Sequence, residues 1–457
     1  MLTNWTLALL QQPLDASTLQ GDGEQEIQAV CTDTRTLKPG DLFVALRGPN
    51  FNGDRFVEQA RQAGAVAAIV TELQPVDLPQ LRVNDTRIAL GQLAKSHRQA
   101  FARPVVAITG SSGKTSVKEM LARILGLQAQ ILATKGNFNN DIGVPLTLLS
   151  LQPEDQYAVI ELGASGRGEI AYTSALTQPD IAILNNAAAA HLEGFGSLQG
   201  VVEAKGEIFN GLKHDGVAVV NLDDGNCRFW LDQLEGRKLR TFSLNSSLAD
   251  LFASDLETDG NGCCSFVLHS NTGQINVSLQ VMGLHMVANA LAAAAAADVL
   301  GFSLEQICQG LESYTGVVGR LAPQQGVQGA RIIDDSYNAN PASVKAAIRV
   351  LASLPGKRLL VLGDMAELGQ DAANLHAELG RFAADLQLDE VYTVGTLAAY
   401  TSAAFAQQRH LVEQAFDDKQ VLLTAMVPVL DAETVVLIKG SRSAAMEQVV
   451  NGLTNKG

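Results

Sequence analysis

No stretch of this 457-residue chain reaches the ~18 consecutive apolar residues of a membrane-spanning helix, so no membrane insertion is expected. The N-terminus, Met1-Leu-Thr-Asn-Trp, has no basic segment followed by an apolar core, so no secretory signal is expected either. Basic residues are in deficit: 33 Lys and Arg against 48 Asp and Glu leave a net charge of −15. That argues against broad nucleic-acid or anionic-membrane binding, since both need a basic surface. Cysteine is scarce. Cys31, Cys227, Cys263, Cys264 and Cys308 are odd in number and show no C-x-x-C spacing, which argues for reduced thiols and a cytoplasmic setting. Histidines form no H-x-x-x-H pair, and no internal repeat is evident. No exposed heptad or long amphipathic face points to an oligomer, so a monomer is expected.

What is present is a well-cored composition, 47% apolar and 18% charged, at a length that suggests about three domains. The chain is organised around Ala107-Ile-Thr-Gly110-Ser-Ser-Gly113-Lys114-Thr115. A β-branched run, Arg103 to Thr109, precedes it and reads as a buried strand. Ser116 to Leu125, with apolar residues at helical spacing, follows it. Strand, glycine loop and helix is the context of a phosphate-binding loop. Gly110 and Gly113 let several N–H groups, including those of Ser111 and Ser112, converge on one anion. The helix start near Lys114 adds its dipole. Lys114 supplies charge for the β- and γ-phosphates, and the Thr115 hydroxyl suits Mg²⁺. The long form of the motif has glycine where this chain has Ile108, so what stands is the shorter G-x-x-G-K-T.

Three α/β domains follow from the alternation of apolar runs and helical periods, at 1–102, 103–318 and 319–457. In the first, Asp41–Leu46 and Ala67–Val70 read as strands, and Phe56–Ala63 and Thr86–Phe101 as helices. Gly48 to Asp54 reads as turn chemistry. In the second, Tyr157–Leu162, Ile181–Leu184 and Val217–Asn221 join the first strand in a mostly parallel sheet. Met286–Leu300 reads as a close-packed alanine-rich helix closed by Gly301. In the third, Ala330–Asp335, Arg358–Gly363, Glu390–Val394 and Thr434–Lys439 read as strands. Pro341–Leu351, Leu375–Leu386 and Ser443–Leu453 read as helices. This Rossmann-like unit lacks G-x-G-x-x-G, so no dinucleotide is expected there.

Ligands in open α/β sheets lie beyond the carboxyl ends of the strands. Glu161 ends one central strand, His191 lies in the run-out of the next, and Lys205 is on the following helix. Each has a structural alternative: a helix cap for Glu161, a satisfied loop histidine for His191, a solvated helical face for Lys205. Mg²⁺ takes oxygen ligands, so Glu161 and Thr115 are apt and a bare lysine is not. Asp334-Asp-Ser-Tyr-Asn-Ala-Asn-Pro341 either caps its helix or offers a carboxylate and amides to a polar ligand. Lys439-Gly-Ser-Arg442 would present positive charge to an anion.

Together these segments resemble the Mur ligase family, the ATP-dependent amide ligases of peptidoglycan precursor synthesis. The features are the short glycine loop, Asn139-Asn-Asp-Ile-Gly-Val-Pro145, His191 with Lys205 fourteen residues on, Gly283-Leu-His-Met-Val-Ala-Asn289, and Gly319-Arg320. Within the family, Asp335-Ser-Tyr-Asn-Ala-Asn-Pro341 and Gly363-Asp-Met-Ala-Glu-Leu-Gly369 look like the last ligase, which joins D-alanyl-D-alanine to UDP-N-acetylmuramoyl-tripeptide. The resemblance implies a metal environment of Thr115, Glu161, His191 and Lys205, the lysine carbamylated so that it becomes an oxygen donor for Mg²⁺. It implies catalytic roles for Lys114, Lys205, His191 and Arg320. Asn289, Arg320 and Asp335 would hold the adenine, phosphate and ribose of ATP. Asp33, Thr34 and Arg35, with Asn50, Asn52 and Gly53, would face the uridine nucleotide. Asn140, Tyr337, Asn338 and Asn340 would contact the other substrates, with Asp364 a further candidate. The implied reaction passes through an acyl phosphate, with the third domain swinging onto the second about Val317–Leu321. Rival readings are a folylpolyglutamate synthase or the diamino-acid-adding Mur ligase, whose expected arginine-bearing D-N-P-R run is absent. A nucleotide-binding regulator would not need Glu161, His191 and Lys205 together, and a GTPase would need an N-K-x-D run that is absent.

Overall fold

The computed structural model describes residues 4–48 and 51–454. Among these, three main sheets form, each mixed with helices. The first, of five strands, runs in the order Thr18–Gln20, Gln80–Arg82, Ala67–Val70, Asp41–Val44, Ala29–Cys31. It carries the helix α1 (Thr86–Ala100), started by Asp85, whose side chain accepts from the N–H groups of Arg87 and Ile88.

The central sheet has nine strands. At its heart lies β1 (Val105–Thr109), followed by α2 (Lys114–Leu125), with β2 (Tyr157–Glu161) on one side and β3 (Ile181–Leu184) on the other. All three are parallel. Their registers set Ile108 level with Glu161 and Thr109 level with Leu184. The polar residues that end each strand therefore reach one common edge. α3 (Leu198–Gly206) and α4 (Leu284–Val299) complete the parts that bear on that edge. Ala292 to Ala297 on α4 are fully buried, and α4 packs against α2, where side chains of one carbon let the backbones approach. The helix stops with Leu300, and Gly301 follows in the left-handed region. The expectation of a mostly parallel sheet holds through Leu251–Thr258. The two strands beyond it, Cys263–Ser270 and Gly273–Met282, are antiparallel.

The third sheet has six strands, parallel except at one edge. β4 (Arg331–Asp335) leads into α5 (Pro341–Ser353), β5 (Lys357–Gly363) follows, and β6 (Thr434–Lys439) lies between β4 and β5. Asn340 and Ser343 form a capping box with Pro341 at the first position of α5. Two expected helices are corrected. Phe56–Ala63 divides into a 3₁₀ turn at Gly53–Phe56 and a helix at Val57–Gln62. The last helix begins only at Glu447, because Ala445 takes φ 48° after a 3₁₀ turn at Arg442–Ala444.

The first and central sheets share one continuous core that joins Leu90 and Leu93 of α1 to Leu148 and Ile170. Buried Arg98 at the end of α1 donates to the carbonyls of Phe101, Thr177 and Gln178 and pairs with Asp180 at 3.0 Å. Gly91 faces Tyr172 so closely that a Cβ would lie 2.1 Å from the phenol oxygen. The third unit joins through Gly316 to Leu321, in which Gly316, Gly319 and Leu321 all have positive φ.

Candidate active site

The strand ends of the central and third sheets face one another across a cavity of about 1270 Å³. A pocket for one small ligand occupies ~300–1000 Å³, so there is room for more than one substrate. The glycine loop forms its floor. Gly113 takes φ 81°, and a Cβ there would sit 2.3 Å from Asn289 Oδ1 and 2.5 Å from Asn185 Nδ2. Asn185 Nδ2 bonds both Asn289 Oδ1 (2.9 Å) and the Ser112 carbonyl (3.1 Å), and Asn186 Oδ1 accepts from the Ser112 N–H (2.9 Å). The loop is thus laced to β3 and α4. Lys114 Nζ donates back to the Gly110 carbonyl at 2.8 Å. Burial, with Arg320 adding to it, pushes this ammonium below its ordinary range, while Glu161 opposes the shift.

Thr115 Oγ1 is the meeting point. It donates to Glu161 Oε2 at 3.0 Å and accepts from Arg320 Nη2 at 3.0 Å. Glu161 is buried, and its other oxygen accepts from Asn139 Nδ2 at 2.8 Å. It caps no helix and has no ion pair among the described residues. A buried carboxylate on a cavity wall beside a hydroxyl, in direct contact with no cation among the described residues, is a donor set suited to a hard divalent ion. Arg320 Cζ lies over the Tyr337 ring, 4.5 Å from its centroid.

His191 lines the cavity, and its Nδ1 bonds the carboxylate of Glu367 from the third unit. Its ring stands edge-on to Phe195, with 6.4 Å between centroids, and the Lys205 ammonium lies 5.3 Å from the centroid of that same ring. Lys205 is buried on α3 rather than on a solvated face, and it is not among the residues that line the cavity. Burial, reinforced by Lys114, brings its pKa down to about 7, against the opposing pull of Glu169 and Glu207. A large share of this amine is therefore neutral and nucleophilic at neutral pH.

The wall from the third unit carries Asp335, Tyr337, Asn338, Asn340 and Lys439. Lys439 does not offer free charge to an anion as the sequence suggested. Its Nζ is spent on Asp335 Oδ2 (2.6 Å) and the Asn338 carbonyl (2.9 Å). Burial raises the Asp335 carboxyl, and Lys439 opposes that shift. Asn340 caps α5 and its Nδ2 reaches Ser112 Oγ at 3.3 Å, while Asn140 accepts from the N–H groups of Ile142 and Gly143. Both line the cavity with side chains already engaged in shaping backbone. Asp364 lies off the cavity, where it accepts from the Ala398 N–H.

The first unit's candidates do not join this cavity. Asp33 and Arg35 pair with each other, Thr34 donates to Gln59, and Asn52 caps the turn at Gly53. Asn50 lies outside the described residues. Sequence reasoning gave no individual role to Asn139, Asn185, Asn186 and Glu367, although Asn139 and Glu367 lie within segments that carry the family resemblance. The doubled asparagine after an apolar strand was a usable signal for Asn185 and Asn186, whereas the run Gly363–Gly369 marks Glu367 without naming its partner.

Family-wide comparison matches residues 26–98 to the catalytic domain of the Mur ligase family, 108–297 to its middle domain and 319–442 to its glutamate ligase domain. The UDP-N-acetylmuramoyl-tripeptide--D-alanyl-D-alanine ligase of Escherichia coli (strain K12) is 47% identical over 99% of both chains. The chain belongs to the Mur ligase family. Among solved Mur ligases, MurF from Acinetobacter baumannii superposes with a TM-score of 0.91 at 38% identity, over 98% of each chain. MurF from Thermotoga maritima, solved in complex with ADP, gives 0.85 at 28% identity over 94% of this chain and 97% of that one. Like other Mur ligases, this one is an ATP-dependent, amide-forming enzyme.

Proposed function

We propose that this Mur ligase joins D-alanyl-D-alanine to UDP-N-acetylmuramoyl-tripeptide, giving the UDP-linked pentapeptide, ADP and phosphate in peptidoglycan precursor synthesis. The observation that carries the reading is near-half identity along the full length of the Escherichia coli ligase of that name. The cavity built from Lys114, Thr115, Glu161 and Arg320 supports it.

A tripeptide carboxylate oxygen attacks the γ-phosphorus of ATP and ADP leaves, forming an acyl phosphate. The amine of D-alanyl-D-alanine then adds to the acyl carbon, loses a proton, and phosphate departs. The N–H groups of Ser111 and Ser112 are engaged by Asn186, so the phosphates fall to Gly113 and the start of α2, while Lys114 and Arg320 offset the charge spread over the transferring oxygens. Asn289 and Asp335 stand on the walls where adenine and ribose are held. Mg²⁺, when bound, draws electron density from the phosphoryl oxygens. Glu161, Thr115 and His191 would hold it. Lys205 would join them as a carbamate, its neutral amine adding CO₂ and losing one proton. The first unit, 1–102, takes the uridine nucleotide through Asp33, Thr34, Arg35, Asn50, Asn52 and Gly53. Units 103–318 and 319–457 carry the chemistry, with Tyr337, Asn338, Asn340 and Asn140 near the acceptor. Closure of the third unit about Val317–Leu321 excludes water from the acyl phosphate. The enzyme works as a cytoplasmic monomer.

Phosphate release with ATP, Mg²⁺, UDP-N-acetylmuramoyl-tripeptide and D-alanyl-D-alanine, each omitted in turn, tests the reading. Release that needs every component, with a UDP-linked pentapeptide as product, is expected. Turnover only with a free amino acid as acceptor would overturn the substrate assignment.

A further inference from the structure

The contact between His191 and Glu367 joins two units whose partners lie 176 positions apart in the chain. Both residues sit in the left-handed region, at φ 53° and 61°, which non-glycine residues rarely adopt. The loop bearing Glu367 is held from within its own unit. The Met365 N–H donates to the buried Nε2 of His376 at 3.1 Å, and the Met365 and Leu368 side chains are buried on either side. The carboxylate is thus presented outward by a pinned loop, and the Glu193 N–H donates to the Glu367 carbonyl at 3.4 Å beside it. An ionised carboxylate only accepts, so the proton of a neutral His191 resides on Nδ1 and the lone pair on Nε2.

We propose that Glu367 is a positioning residue for His191. Brought in by the third unit, it selects the Nδ1–H tautomer and fixes the ring so that Nε2 is free to bind the divalent ion. A carboxylate behind a metal-bound histidine raises ligand basicity and sets its orientation. Here that carboxylate comes from a different unit, so metal affinity and seating of the third unit are coupled. The metal part rests on the reading of His191 given above; the tautomer part does not.

Two readouts on the full-length protein test this. Two-bond ¹⁵N–¹H spectra at pH 8, where an ordinary imidazole is neutral, report the His191 tautomer, assigned by its loss in His191→Asn. The wild type is expected to show Nδ1–H, and Glu367→Ala to lose that preference. A mixed wild type, or an unchanged Glu367→Ala, overturns the proposal. Binding of Mn²⁺ alone, followed by the resonance of the free ion, is expected to weaken by roughly 10–100-fold in Glu367→Ala, and Glu367→Ala is expected to cause no further loss when added to His191→Asn. If His191→Asn weakens Mn²⁺ binding and Glu367→Ala does not, the positioning role falls and the metal reading stands. If His191→Asn binds Mn²⁺ like the wild type, both fall. Glu367 is half exposed, so Glu367→Ala is expected to fold with an unchanged melting temperature.

Discussion

A single hydrogen at Gly113 lets the phosphate loop close against α4. A methyl group there would meet two amides within 2.5 Å at a backbone angle that resists any Cβ. Gly113→Ala is expected to weaken ATP binding by at least ~2 kcal/mol, about 30-fold, in calorimetric titration. Arg320 serves by shape as well as by charge, bonding Thr115 while lying over the Tyr337 ring. Arg320→Lys keeps the charge and loses both, so kcat/KM for ATP in the phosphate-release assay should fall about 100-fold. Lys205 shows the cost of its position in stability. Its pKa falls to about 7 in the fold from about 10.4 in the unfolded chain, so between those values the unfolded state binds more protons and stability rises with pH. The penalty is complete below pH 7 and fades toward pH 10. Lys205→Met should therefore raise the melting temperature more at pH 6 than at pH 9, while removing activity.

At the scale of elements, the loop from Asp364 to Gly369 depends on one imidazole. His376 donates from Nδ1 to the Ala372 carbonyl at 2.8 Å and accepts at Nε2 from the Met365 N–H. Burial holds its pKa below the usual value, and Asp364 is the charged neighbour that opposes the shift. Protonation would place a second donor against the Met365 N–H. Stability from this contact is present above the ordinary histidine pKa, about 6.5, and is lost as pH falls below it. The protection factor of the Met365 amide, which is its exchange corrected for the intrinsic rate, should fall between pH 7 and pH 5, and His376→Gln should flatten that response. Elements of this kind were unevenly legible in the sequence. Ile181–Leu184, Val217–Asn221, Glu390–Val394 and Thr434–Lys439 stand where expected, because continuous apolar runs between turns mark strands covered on both faces. The strand Gly273–Met282 went unread although its Ser, Gln and Asn alternate with buried Val and Leu, the pattern of a strand with one face in water. The phosphate loop was legible because its parts are adjacent in the chain. Asn139 and Glu367 act on residues 22 and 176 positions away, and no local pattern records such partners.

Across the whole molecule, the two seams differ in kind. Between the central and third units, single polar contacts line the cavity, Arg320 to Thr115, Asn340 to Ser112 and Glu367 to His191, while away from it Met282 of the central sheet is buried in the third unit's core and Arg331 bonds the Asn261 carbonyl. Between the first and central units the core is continuous, and Arg98 satisfies three carbonyls and a carboxylate at once. Arg98→Ala should lower global stability by ~3 kcal/mol or more, read as a shift in denaturant midpoint, because those acceptors stay buried. The same anchoring bears on how such a chain can be assembled over time. A segment that lends its neighbour a helix face and an arginine is no free-standing cassette. An exchange of the first hundred residues for a foreign counterpart would have to bring a matching surface for Leu148, Ile170 and Tyr172.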